Sequence, residues 1–140
     1  MIVDTSVWID FFAGRDTWQA GLLARELADE QPVGLTDVVH TEILQGIKDD
    51  SVLLGVERRL LALDIVGLEG LDDFRNAAQL YRAARRQGLT IRRTTDCLIA
   101  TVCIREGRAL LHNDADFDQL ALVSPLRAVT QPWRLSRQGG

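Results

Sequence analysis

The sequence predicts an α/β protein in which parallel strands are joined by crossover helices. Apolar segments of strand length alternate along the chain with longer stretches of helical period. Residues 97–104 are apolar almost all round, as a helix enclosed by other elements must be. The 140 residues suit one domain, 1–140, large enough to bury a core without disulfides or structural metal. No linker, repeat or low-complexity segment divides the chain.

Taken in order, residues 1–3 read as a very short buried strand ending at Asp4. Thr5 or Ser6 caps a first helix carrying Val7, Trp8, Phe11 and Phe12, and Gly14 closes it. Asp16 and Gln19 resemble a capping box for a second helix through Leu23 and Leu27, stopped by Pro32. Residues 33–35 form the next strand. Thr36 then caps a helix in which Val39, Ile43 and Ile47 recur at i+4, with Glu42 off that stripe. Another helix begins near Asp50, and residues 61–66 read as a strand. Leu71, Phe74, Ala78 and Tyr81 form one face of a long helix ending at Gly88. Thr94 or Thr95 caps the buried helix and Gly107 ends it. Residues 109–112 are a strand with Asp114 just beyond its end, residues 126–129 a last strand, and Gln138-Gly139-Gly140 a frayed terminus.

Composition narrows the function. With 46% hydrophobic and 26% charged residues the chain is globular, and its net charge of −4 excludes a protein that coats nucleic acid by bulk electrostatics. No apolar run reaches the roughly 18 to 20 residues of a membrane span, and an acid stands where a secretory leader needs a base, so a cytoplasmic protein is expected. Cys97 and Cys103 lack C-x-x-C spacing and lie about 240° apart on a helix, which marks them as buried thiols.

Asp4, Glu42, Asp96 and Asp114 stand out because each interrupts or follows an apolar element. Singly, each has an ordinary reading as a turn acid, a helix N-terminal acid or a solvated helical residue. Together they mean more. Asp4 and Asp114 both fall where a strand ends, and ligands of an open parallel sheet bind beyond the carboxyl ends of its strands. Asp96 opens the buried helix, and Glu42 lies on a helix able to flank the same edge. Four clustered carboxylates repel one another unless cations neutralise them, and an all-oxygen set suits Mg²⁺ or Mn²⁺ rather than zinc. A metal-activated water then needs no protein nucleophile, and phosphodiester hydrolysis is the natural chemistry.

At this point the sequence resembles the PIN-domain ribonucleases, and within them the VapC-type toxins of toxin–antitoxin pairs. The resemblance rests on IVDTSVWID, TEILQG, TTDCLIATVCI and LLHNDADFDQL, four blocks in the family's order spanning nearly the whole chain. It implies a three-layer α/β/α sandwich around a central parallel sheet, metal-dependent endoribonuclease activity, neutralisation by a cognate antitoxin, and a homodimer. Carried onto these blocks, the family's acids are Asp4, Glu42, Asp96 and Asp114, the metal being held by Asp4, Asp96 and Asp114. Asp116 is an additional nearby acid, and Ser6 matches the small hydroxyl residue that accompanies the first. His112 departs from the family, where many relatives carry threonine or serine. A histidine at a strand end reads as structural, and His40 lies about 200° from Glu42 on its helix.

Arg82, Arg85, Arg86, Arg92 and Arg93 occupy an acid-free stretch leading into Asp96. Arg92 and Arg93, past the helix end, are the candidate RNA contacts; the other three also fit the C-terminal pole of a helix. Trp8, Phe11 and Phe12 read as core or a partner groove rather than base-stacking residues, with the first two helices as the candidate antitoxin groove. A haloacid-dehalogenase-like phosphatase needs a second aspartate where Ser6 stands and a downstream lysine, and Lys48, the sole lysine, is in the wrong context. A receiver domain fails similarly. A non-catalytic RNA- or protein-binding module is the remaining alternative, against which the complete acidic set argues.

Overall fold

The computed structural model describes residues 1–132. Eleven elements follow in the order β1 (Ile2–Val3), α1 (Thr5–Phe12), α2 (Trp18–Ala28), β2 (Gly34–Thr36), α3 (Asp37–Gly46), α4 (Asp50–Leu61), β3 (Asp64–Val66), α5 (Gly70–Arg86), α6 (Thr94–Glu106), β4 (Leu110–Leu111) and α7 (Ala115–Leu122). The strands form one sheet in the order β3-β2-β1-β4, and every pairing is parallel. β1, β2 and β4 are buried at every residue. Because successive strand side chains point to opposite faces, this burial requires cover on both sides, which is the α/β/α sandwich the sequence implies.

Strand order sets the position of the site. From β1 the chain moves outward through β2 to β3, then returns to place β4 on the other side of β1. The β1–β4 junction is therefore the switch point, where the loops beyond the strand ends diverge and leave a crevice. α6 is enclosed by α5, α7 and α3. Its residues Asp96, Cys97, Ile99, Ala100, Thr101, Val102 and Cys103 are all buried, as the all-round apolar pattern requires.

Several elements depart from the sequence reading for identifiable reasons. Asp4, not Thr5 or Ser6, caps α1, because its carboxylate reaches the Ser6 N–H and Thr5 is already helical. Thr17 caps α2 through the Ala20 N–H, displacing the Asp16–Gln19 box by one residue. No side chain caps α6: Thr94 is its first helical residue and Arg93 its cap. α4 continues to Leu61, so β3 is confined to the last three residues of 61–66, and residues 126–129 make a single bridge, Leu110 with Ala128, rather than a strand. Gln138 to Gly140 lie outside the described residues.

The largest correction concerns α5. Leu71, Phe74, Ala78 and Tyr81 face outward, with Leu71 85% exposed. The inward stripe is Asp73, Ala77, Leu80 and Ala84. Two small alanines let α5 approach α6 closely, and the buried Asp73 accepts the Arg105 Nε from α6 at 3.2 Å and the Glu69 N–H at 2.7 Å. A polar residue on the core stripe, satisfied by a partner 32 positions away, is invisible to apolar periodicity.

Gly34 pairs with Ile2 at the sheet centre, and a Cβ there would meet the Arg108 guanidinium at 2.5 Å and the Asp64 carbonyl oxygen at 3.2 Å. That guanidinium also holds Asp64 at 2.7 Å. Gly34→Val is expected to lower stability by about 1–3 kcal/mol through overpacking. Chemical denaturation of the single variants and of Gly34→Val/Arg108→Ala should give sub-additive losses; strict additivity would contradict the contact.

Candidate functional site

β1 delivers Asp4 to the switch point, and the start of α1 fixes its carboxylate. Asp4 Oδ2 accepts the Ser6 N–H at 3.1 Å and the Ser6 hydroxyl at 2.6 Å. That hydroxyl oxygen accepts the Asn113 N–H at 3.0 Å, tying the β1–α1 turn to the turn after β4. Burial pushes the Asp4 carboxyl above its ordinary range, with the Ser6 donors acting in the opposite sense.

Asp114 repeats the arrangement one strand over. It caps α7, its Oδ1 accepting the Asp116 N–H at 3.0 Å. Arg92 Nη2 donates to Oδ1 and Arg93 Nη2 to Oδ2, each at 2.9 Å. Burial alone would raise the Asp114 carboxyl, but the Asp116 N–H and the two guanidiniums outweigh it and hold it below the ordinary range. Asp116, buried in the first turn of α7, accepts the Arg92 backbone N–H at 3.1 Å and its Nε at 3.3 Å.

Asp96 lies in the first turn of α6 and is 2% exposed. Its Oδ2 has no hydrogen-bond partner, the nearest cation being Arg93 Nε at 3.8 Å. Burial pushes this carboxyl up to about 7, against the pull of Arg93. One carboxylate oxygen from each of Asp96, Asp114 and Asp116 lies within 4.8 Å of the others. A buried oxygen without a donor, facing two further carboxylates, is a donor set for a hard divalent cation.

The structure thus brings together Asp96 and Asp114, as the sequence reading expected, and adds Asp116 as a full member of the cluster rather than a bystander. Asp4 stands beside this trio, close enough that Asp114 adds to the rise in its pKa. Glu42 joins from α3 through the Thr5 hydroxyl, which donates to its Oε1 at 2.8 Å, and its charge is felt by Arg93. Thr5 is the positioning residue that the sequence reading missed; there it had only a capping role. Arg92 and Arg93, singled out as RNA contacts, are engaged by the cluster itself. Arg82, Arg85 and Arg86 are exposed on α5, and among the described residues none pairs with the cluster.

His112 is half-buried just beyond β4. Its Nδ1 accepts the Asp114 N–H at 3.2 Å and its ring packs 5.2 Å from Phe117. The Nε2 of His40 is buried without a hydrogen-bond partner. Trp8 is core, while Phe11 and Phe12 are half-buried under the Arg59 guanidinium. Lys48 is exposed in the α3–α4 connection.

The profile of the PIN domain family matches residues 1–123. The chain belongs to the PIN-domain family. Its curated relatives include "VapC ribonuclease Mb1587" of Mycobacterium bovis and "Ribonuclease VapC11" of Mycobacterium tuberculosis, each 37% identical over 131 residues, covering 93% of this chain and 98% of the relative. Among solved structures, VapBC2 from Rickettsia felis bound to a promoter DNA fragment superposes with a TM-score of 0.71 at 18% identity, over 91% of this chain and 96% of that one. FitAcB from Neisseria gonorrhoeae gives 0.70 at 18% identity, over 95% and 98%. At such identities these structures speak to the PIN fold alone.

The raised carboxyl of Asp96 has a consequence for stability. The folded PIN domain holds that proton more tightly than the unfolded chain, so its contribution is present below the unfolded value near 4 and is lost as pH rises through about 7. In EDTA, Asp96→Asn should melt higher than the parent at pH 8 and show a flatter dependence of Tm between pH 5 and 8. Parallel Tm profiles would contradict the assignment.

Proposed function

We propose that this PIN domain is an endoribonuclease toxin of the VapC type, a Mg²⁺- or Mn²⁺-dependent enzyme that hydrolyses RNA phosphodiester bonds and is neutralised by a cognate antitoxin. The observation that carries the reading is the trio of buried Asp96, half-buried Asp114 and buried Asp116 at the switch point, with the Asp96 Oδ2 unpartnered. The 37% identity to ribonucleases named as VapC supports it.

In this reading Asp96 and Asp114 hold the ion, with Asp116 within reach and Asp4 as a further ligand across the crevice. When bound, the ion supplies an acidified water and charge to stabilise the departing oxygen. The chain's own residues do the positioning. Ser6 fixes the Asp4 rotamer and ties the β1–α1 turn to the turn after β4. Thr5 orients Glu42 from the far helix, where it is a candidate base for the attacking water. Arg92 and Arg93 supply positive charge where an RNA phosphate must arrive.

The antitoxin reading draws on structural neighbours described as a toxin–antitoxin complex from Klebsiella pneumoniae and a member of the VapBC family of toxin–antitoxin systems from Mycobacterium tuberculosis. α1 and α2 pack together, and Ile9 and the half-buried pair Phe11 and Phe12 present apolar surface on α1 that fits a partner groove. Among the described residues no helix is long and apolar enough to cross a membrane.

Purified protein free of partner should cleave single-stranded RNA with Mg²⁺ or Mn²⁺ and stop on adding EDTA. Asp4→Asn and Asp96→Asn should keep the far-UV spectrum while losing at least about 100-fold in turnover, on the scale of lost transition-state charge stabilisation. Undiminished cleavage by either folded variant would defeat the reading. Expression without a partner should arrest growth, and Asp4→Asn should abolish the arrest. Equal arrest at matched abundance would mean that binding, not cleavage, is toxic.

A further inference from the structure

Arg92 and Arg93 are half-exposed side chains whose charged ends turn inward onto buried acids. The side chains are 65% and 56% exposed, whereas their partners Asp114, Asp116 and Asp96 are 8% exposed or less. Both oxygens of Asp114 are engaged by them, and Arg92 also reaches Asp116. These are the oxygens that a divalent ion needs. A guanidinium and a divalent cation on one carboxylate repel each other at close range, where interposed water screens little.

The segment does not depend on these side-chain pairs to keep its place. The Arg92 backbone N–H donates to Asp116 Oδ2, an anchor that any side-chain substitution leaves intact. Both stems are solvent-exposed, so the guanidiniums can leave the carboxylates without unpacking the core. An acidic protein of net charge −4 also has few other local sources of positive charge for a phosphate backbone at this crevice.

We propose that Arg92 and Arg93 are built-in counter-cations that compete with the divalent ion for Asp114 and Asp116, and that displacement by the ion turns the same two guanidiniums outward as RNA phosphate contacts. Loading of the site and capture of the substrate are then coupled: the positive charge needed for RNA is released only where the metal is already present. The inference rests on the metal-dependent nuclease reading, but it makes its own prediction for metal affinity. If the arginine-paired state accounts for about nine-tenths of the population, it weakens apparent metal binding about tenfold, because only the competent fraction binds.

Mn²⁺ titration of the full chain, followed by electron paramagnetic resonance, tests this without any turnover. Arg92→Ala/Arg93→Ala should bind Mn²⁺ about tenfold more tightly than the parent, while Arg92→Lys/Arg93→Lys, which keeps the charge, should stay near the parent value. Should the double alanine variant fail to fold by circular dichroism, Arg93→Ala alone must show a smaller tightening. Affinity unchanged or weakened in the folded alanine variant overturns the inference and leaves the nuclease reading standing; absence of Mn²⁺ binding by every form at millimolar concentration removes the nuclease reading itself. A second readout uses a single-stranded oligoribonucleotide in a Glu42→Gln background, which removes the candidate base while leaving the carboxylates that would hold Mn²⁺ in place. There the arginine pair should steepen the salt dependence of binding by roughly 1 to 1.5 in log–log slope with Mn²⁺ present and not in EDTA. The same increment under both conditions would show arginines permanently committed to RNA and would overturn the coupling.

Discussion

Carboxylates gathered in a buried corner repel one another and lose hydration, and most of what is distinctive in this chain answers that cost. Asp4 and Asp114 cap α1 and α7, while Asp96 and Asp116 sit in the first turns of α6 and α7. Three helix N-termini, each carrying roughly half a positive charge, therefore point at one place. A parallel sheet whose order reverses between β1 and β4 is a frame that delivers several helix starts to one edge. Helix dipoles and N–H donors relieve part of the repulsion, and the two arginines relieve more at Asp114. Asp96, with one oxygen lacking any donor, is where the relief runs out.

The hydroxyls divide the remaining labour. Ser6 serves Asp4 as donor and Asn113 as acceptor, so a single oxygen couples two turns that are 107 residues apart in sequence. Thr5 does the same between α1 and α3 through Glu42. Both residues follow directly on the first acid, and the local geometry of one helix N-terminus sets the rotamers of acids on two elements. His112 completes the frame by accepting the Asp114 N–H from below the strand end.

The fold class and the meeting of Asp96 with Asp114 were legible in the sequence because each rests on local patterns. Two buried strand residues followed by an acid, an all-apolar helix opened by Asp96, and Thr36 before an i+4 stripe all report on their own neighbourhoods. What sequence could not show was long-range satisfaction of polar groups. Asp73 looks like a surface residue until Arg105 is set against it, and the outward face of α5 looks like core because Leu71, Phe74 and Tyr81 outweigh Ala77 and Ala84 in hydrophobicity. Arg92 and Arg93 read as free cations for the same reason: their partners Asp114 and Asp116 come more than 20 residues later. Asp116, two positions after Asp114, read only as an additional nearby acid because its contact with Arg92 spans 24 residues.

The pairing of β1 with β4 also governs when the acidic cluster can assemble during synthesis. β1 is synthesised well before its neighbour β4 (Leu110–Leu111) and before the acids Asp114 and Asp116. Contacts of such sequence separation form late, since the loop between them must close before they return any free energy. A nascent chain displaying Asp4, Glu42 and even Asp96 therefore still lacks the β4–α7 turn that gathers the cluster. The topology thus withholds the assembled carboxylate cluster from the nascent chain until β4 and α7 have been synthesised.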